Sequence, residues 1–154
     1  MEDNSIWNSI DSLLVVINSG DDAHLQKLKK SLDKAKADSN IRKLIIVALL
    51  PKGIDKNTMT PDFLIYFIAS SDFNFWGKLK DPQLINELNQ NKFDTLLWIG
   101  DDSHRFFNKL KKISFKNKIG VNSYRSDFEM SLNSDSEEPS KIINFVQEIL
   151  LKSY

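Results

Sequence analysis

The sequence predicts a three-layer α/β domain, in which helices cover both faces of an open sheet of about five mostly parallel strands. Short apolar blocks recur along the chain, and they are continuous rather than alternating, which indicates strands buried on both faces. Between them lie segments with the apolar spacing of amphipathic helices. A chain of 154 residues, 41% of them hydrophobic, can bury a real core and favours one domain over residues 1–154.

The predicted strands are blocks rich in β-branched and aromatic residues. They are Leu13 to Ile17, Leu44 to Leu50, Phe63 to Ala69, Thr95 to Ile99 and, more weakly, Lys118 to Val121. Weaker patterns predict a short edge strand at Phe128 to Leu132 and a helical turn at Ile6 to Ile10. The joint from Pro51 to Pro61 links two strands without an evident helix, so either a crossover helix is missing there or the strands pair differently.

The predicted helices have apolar residues at every third or fourth position. Two stripes of this kind follow the first and fourth strands: Leu25, Leu28, Leu32 and Ala35, then Phe106, Leu110 and Ile113. Asp81 and Pro82 open another helix, because Asp caps free amides and Pro at the first helical position gives up no needed donor. Pro139 opens the last one. This alternation of strands and helices is typical of a doubly wound, Rossmann-like sheet.

Charge and composition exclude several classes of function. Lys and Arg number 21 against 21 Asp and Glu, so there is no broad basic field and nucleic acid is not an expected partner. The chain has no Cys, which excludes thiolate metal sites and thiol nucleophiles. No apolar run approaches the ~20 residues that cross a bilayer. The acidic N-terminus is unlike a secretion signal, so we expect a cytoplasmic protein without membrane insertion.

The most specific internal signal is a repeated Gly-Asp-Asp-x-His pentad, from Gly20 to His24 and again from Gly100 to His104. Ligands of open α/β sheets collect at the carboxyl ends of strands, so the two turns could converge on a divalent metal or on acid–base chemistry. The candidate metal-ligating residues are Asp21, Asp22, His24, Asp101, Asp102 and His104. The simpler interpretation is structural: Gly permits a tight turn and Asp caps the helix that follows.

Motifs for common cofactors and catalytic centres are missing from the sequence. No Gly-x-Gly-x-x-Gly follows the first strand, and the chain contains neither a Gly-Lys-Ser/Thr loop nor a Gly-x-Ser-x-Gly elbow. We therefore predict no cofactor, assign no catalytic residue and lean against an enzyme.

An aromatic segment directly after the third strand is the second candidate site. Aromatic rings beside lysines can anchor a protein partner or stack on a small molecule, although such residues also cap the open end of a sheet. The partner-binding candidates are Phe73, Phe75, Trp76 and Lys78. An acidic surface loop at residues 134–140 is a further contact surface.

Three stretches resemble a known family: Asp72 to Lys80, then Phe93 to Leu97 opening a strand, then Lys116 to Val121 with Ile119 and Gly120 near its end. They resemble an uncharacterised bacterial family of small Rossmann-like proteins, a domain of unknown function. They are also similar to the N-terminal half of heptosyltransferase-type GT-B glycosyltransferases. The resemblance spans roughly residues 61–124 and implies a Rossmann-like fold.

The function that we expect from these observations is that of a non-catalytic protein-interaction module, able to serve as a subunit of a larger assembly. One alternative is a metal- or small-ligand-dependent enzyme that uses the strand-end Asp-Asp-x-His turns. Another, implied by the glycosyltransferase resemblance, is a degenerate glycosyltransferase-like domain that keeps a sugar-binding rim.

Overall fold

The structure, a computed structural model, describes residues 5–74, 76, 78–80, 83–101, 105–123 and 127–154. Its strands are β1 (Ser12–Asn18), β2 (Lys43–Leu49), β3 (Ile65–Ile68), β4 (Thr95–Ile99), β5 (Asn117–Val121) and β6 (Met130–Leu132). Its helices are α1 (Ile6–Ser9), α2 (Asp22–Ala37), α3 (Gln83–Asn91), α4 (Arg105–Leu110) and α5 (Pro139–Leu151). Single 3-10 turns lie at Lys56–Thr58 and Ser70–Asp72.

The strands form one open sheet in the order β3-β2-β1-β4-β5-β6, and every neighbouring pair is parallel. In the central register, Val15 lies beside Ile46 of β2 and Leu97 of β4. The predicted Rossmann-like α/β fold is thus confirmed. The sheet has six strands rather than about five. The sixth is β6, which lies in the weakly predicted edge segment and pairs with β5.

Both faces of the sheet are covered, which explains why its strands are apolar without alternation. Alternate residues of β1 point into separate clusters, Val15 into one and Val16 into the other. The first cluster also contains residues of α1, α2 and α5, and the second contains residues of α3 and α4. Trp7 of α1 is buried in the first cluster. Across the described ranges, every helix is too short or too polar to span a membrane.

The joint between β2 and β3 has no α-helix, although the strands are parallel. A single 3-10 turn at Lys56–Thr58 replaces the crossover helix. Met59, which follows this turn, is buried in the same apolar cluster as α2. One side chain therefore covers part of the face that a crossover helix would otherwise cover.

The Ile119 and Gly120 pair in β5 has a packing reason. A Cβ atom on Gly120 would lie 2.9 Å from ring carbons of Phe128, closer than side chains pack. Phe128 is buried, and its ring centre lies 5.3 Å from that of Phe107, which contacts Trp98 edge to face. The glycine thus leaves space for a ring that closes an aromatic cluster on the α4 side of the sheet.

The carboxylate of Asp94 joins strands at the amino edge of the sheet. Its Oδ2 atom accepts the backbone N–H groups of Asp11 and Ser12, at 2.9 and 3.0 Å, where β1 begins. Its own N–H donates to the Ser12 hydroxyl at 2.9 Å. Its carbonyl accepts the N–H groups of Lys116 and Asn117, where β5 begins. Asp94 directly precedes β4 and therefore aligns the starts of β1, β4 and β5.

We expect Asp94→Ala to lower the free energy of unfolding by about 2–4 kcal/mol, because several half-buried donors lose their acceptor. Asp94→Asn keeps one oxygen and should lose less. Urea unfolding followed by circular dichroism measures both. Asp135→Ala removes an exposed carboxylate of the acidic loop and is the control. Equal losses in Asp94→Ala and Asp135→Ala would contradict the role assigned to Asp94.

Candidate functional site

The two Asp-Asp-x-His segments begin at neighbouring strand ends. They follow β1 and β4, which pair directly although they are not consecutive in sequence. The side-chain amide of Asn18 donates to the carbonyl oxygen of Asp101 at 2.9 Å and so joins the end of β1 to the second turn. The same carbonyl accepts the indole N–H of Trp98 at 3.0 Å. Gly100 has φ of +102°, a backbone conformation that favours glycine.

In the first turn, the candidate ligands are engaged in structural hydrogen bonds. Asp21 caps α2 by accepting the N–H of His24 at 3.2 Å. The carboxylate of Asp22 accepts both the N–H and the hydroxyl of Thr60 in the β2–β3 joint. The ring of His24 lies 3.1 Å from the Ser19 hydroxyl through Nδ1 and 3.3 Å from the Glu137 carbonyl through Nε2. This ring therefore connects the turn to the acidic loop.

A second contact holds the joint to α2. Lys29 of α2 pairs with the carboxylate of Asp62 at 2.7 Å, and the other oxygen of Asp62 accepts the N–H of Leu64 at 2.9 Å. Burial raises the pKa of Asp62, but the hydrogen bonds from Lys29 and Leu64 outweigh it and bring the pKa below its ordinary value. The same contact raises the pKa of Lys29. The pair is thus ionised at neutral pH.

The described residues do not assemble a metal site at the turns. Among them, no group of three or more His, Asp and Glu side chains is placed to hold a metal ion. Asp101 is exposed and lies at the rim of the second turn. Asp102 and His104, the other predicted ligands of that turn, lie outside the described residues.

An open cleft of about 490 Å³ lies at the carboxyl edge of the sheet. Residues at or after the ends of four strands line it, among them Asn18, Lys52, Ser70, Phe73, Asp101 and Arg105. Leu49 and Leu50 at the end of β2 also line it but are buried, and the exposed Pro51 follows them. The cleft includes the ends of β1 and β4, where the strand order reverses direction, and this is where open α/β sheets bind ligands.

The predicted aromatic contact segment divides between the cleft and the surface. Phe73 is only 6% exposed, and the guanidinium carbon of Arg105 lies 5.5 Å from the centre of its ring, so Phe73 is a wall of the cleft rather than an exposed contact. Trp76 is 80% exposed, and Lys78 is exposed beside it. Phe75 lies outside the described residues.

The chain holds Trp76 at the tip of a short hairpin. Phe73 and Leu79 form an antiparallel bridge at its base. The side-chain oxygen of Asn74 accepts the N–H groups of Trp76 and Lys78, at 2.9 and 3.0 Å, which stabilises the tip. These bonds hold the backbone at Trp76, while its side chain is largely in solvent.

A smaller cavity of about 240 Å³ lies along the outer edge of β3, next to α3. The Tyr66 hydroxyl donates to Glu87 there at 3.1 Å, and burial together with this carboxylate raises the pKa of the tyrosine. Lys56 pairs with Asp72 at 2.6 Å on the other side. The polar groups of this cavity therefore satisfy one another.

Most of the cleft residues carry no motif by which the sequence could predict them. Lys52, Ser70 and Arg105 belong to no motif, and they are separated by long stretches of chain. The available signal was their position, since each lies within a few residues after a strand that ends at the same edge. Asn18, the last residue of β1, carried the same signal.

The fold and the cleft define a parallel, open-sheet α/β protein with a ligand-sized opening at its carboxyl edge. Neither models of known protein families nor curated protein sequences match this chain.

Acidification should reveal how much the Lys29–Asp62 ion pair contributes to folding stability. Because the folded pKa of Asp62 is depressed, its contribution to stability is complete above the unfolded pKa of about 3.9 and is lost as the pH falls through the folded pKa. Stability should therefore decline less steeply below about pH 5 in Asp62→Asn than in the wild type. Urea unfolding at a series of pH values measures this slope, with Asp135→Asn as control. If the stability of Asp62→Asn falls as steeply with pH as that of the wild type, this ion pair does not stabilise the fold.

Proposed function

We propose that this protein binds a small ligand in the carboxyl-edge cleft. The observation that carries the proposal is the convergence of Asn18, Ser70 and Arg105 on one opening, although each lies at or after the end of a different strand. The opening lies at the point of the sheet where α/β proteins bind ligands. Its volume of about 490 Å³ falls within the range of small-molecule sites, which is roughly 300–1,000 Å³.

The lining of the cleft also supports a ligand. The exposed Pro51 supplies apolar surface beside the buried Leu49 and Leu50, while Asn18 and Ser70 supply neutral hydrogen-bonding groups. A few polar groups against an apolar wall are typical of sites that select and orient a small molecule. The amide of Asn18 is held by its bond to Asp101, which reduces the entropy lost on binding.

The proposal is one of binding and does not extend to metal-dependent catalysis at the Asp-Asp-x-His turns. Asp21, Asp22 and His24 already bond to α2, to the β2–β3 joint and to the acidic loop. A degenerate glycosyltransferase-like domain with a sugar-binding rim would present its sugar at the same cleft, so neutral sugars belong among the ligands to be tested. We propose the cytoplasm as the compartment, because the chain contains no Cys.

A protein contact at Trp76 is the second function that we propose. An indole that is 80% exposed at the tip of a braced hairpin is an unusual surface feature, and Trp is enriched in the central anchors of protein interfaces. Lys78 beside it adds a positive charge at the rim. Phe73 takes no part in this surface because it is buried beneath Arg105. The protein could then serve as a subunit of a larger assembly.

Filling the cleft should abolish ligand binding. Ser70→Phe places a large ring in the opening from an exposed position and should leave the sheet intact. Nitrogen–proton correlation spectra of the full chain, recorded with neutral sugars, nucleosides, amino acids and organic acids, should show shifts at cleft residues in the wild type and none in Ser70→Phe.

Ser114→Phe is the matched control, since Ser114 is exposed and lies outside the cleft. It should bind as the wild type does. If Ser70→Phe binds the same compounds with unchanged affinity, or if the shifts fall elsewhere on the protein, the cleft is not the binding site.

Truncating the exposed indole should remove a protein partner. Trp76→Ala should abolish the co-purification of a partner identified by mass spectrometry with the wild type, because hot-spot aromatics contribute about 2 kcal/mol or more to an interface. Phe63→Ala is the matched control, since Phe63 is fully exposed at a different site. A partner retained by Trp76→Ala, or lost equally with both variants, would contradict a specific contact at Trp76.

A further inference from the structure

We infer that the ligand of the cleft is an anion whose carboxylate or phosphate group is bound by Arg105 with help from Lys52. This inference rests on the proposed function, because it names the chemical class of ligand for the same cleft. Both residues line the opening, one after β2 and the other at the start of α4.

The orientation of Arg105 is fixed by the wall of the cleft. Its guanidinium carbon lies 5.5 Å from the ring centre of Phe73, and that ring is buried. A guanidinium held over an aromatic ring is attracted by the ring electrons and keeps its N–H donors available at the edge of its plane. Those donors match the spacing of two oxygens on a carboxylate or a phosphate. Arg105 therefore presents an oriented binding group rather than a flexible surface charge.

The charges of Arg105 and Lys52 are not neutralised within the described part of the chain. No carboxylate among those residues lies within ion-pair distance of either side chain, although both are exposed at the cleft. Lys56, a few residues from Lys52, differs in pairing with Asp72 at 2.6 Å. Cations that converge on one concave surface without a protein partner attract an anion more strongly there than on a flat surface.

Asp101 restricts where the anionic group can lie. It lines the same cleft, and its backbone carbonyl accepts the amide of Asn18 at the end of β1. Like charges repel, so the oxyanion is expected beside Lys52 and Arg105 and away from the Asp101 carboxylate. The remainder of the ligand then lies against Pro51, which is exposed beside the buried Leu49 and Leu50, and there an aromatic or aliphatic body replaces water. The inferred ligand is a small organic acid or phosphate ester with an apolar body.

Three compounds that share a phenyl ring and differ in the attached group test the inference: benzoate, phenyl phosphate and the neutral benzamide. Chemical-shift titrations of the full chain at constant ionic strength should move cleft amides with at least one of the two anions, and less with benzamide. Arg105→Gln should weaken anion binding by about tenfold or more, as expected for a lost charge-assisted contact. Lys52→Gln should weaken it less and serves as a second variant. Lys112→Gln removes an exposed positive charge outside the cleft and should bind as the wild type does.

The outcomes separate the two proposals. If only one anion binds, that result identifies the oxyanion and supports the inference. If benzamide binds as tightly as the anions and Arg105→Gln changes nothing, the anion inference is overturned while ligand binding in the cleft stands. An equal loss in Arg105→Gln and Lys112→Gln also overturns it, since the effect is then one of overall charge. If no probe moves a cleft residue, both proposals fall.

Discussion

The sheet depends on the hydrogen bonds that Asp94 makes to the start of β1. β1 and β4 are distant in sequence, and the contact between Asp94 and Ser12 spans 82 residues. This contact ties the start of β4 to the start of β1, the pair at which the strand order reverses direction. The helices that follow these two strands, α2 and α4, pack on opposite faces of the sheet, and the cleft lies at the edge from which they leave. A polar contact at one edge thus holds together the two strands whose other ends lie beside the cleft.

The fold class was largely predictable because the apolar pattern that causes it is visible within each short segment of sequence. Strands buried on both faces must be continuously apolar, and Leu44 to Leu50 reads in this way without knowledge of its neighbours. The strand order was not predictable, since it depends on contacts such as those of Asp94 that join distant residues. The third strand, predicted at Phe63 to Ala69, is shorter in the structure, at Ile65–Ile68. Asp62 and Leu64 form a turn at its start, and Phe63 is exposed.

The cleft was less predictable than the fold. The repeated pentad follows two strands that pair directly, β1 and β4, but its two first glycines have different roles. Gly20 packs against the ring of Pro51, where a Cβ atom would lie 2.8 Å away, whereas Gly100 has a positive φ. Arg105 and Phe73, which form the cleft wall, share no motif and meet only in the folded chain, where the segment after β3 reaches the start of α4. A site assembled from strand ends leaves little periodic signal in a sequence.

The position of β1 at the centre of the sheet affects the order in which strands can pair during synthesis. Its partner on one side is the nearby β2, but its partner on the other side begins only at Thr95. During synthesis on the ribosome, residues such as Val16 must therefore wait for β4 before that side of the strand is paired. Closing so long a loop slows folding and prolongs the exposure of an apolar edge. The nascent chain is thus most vulnerable to aggregation before its central pair of strands is complete.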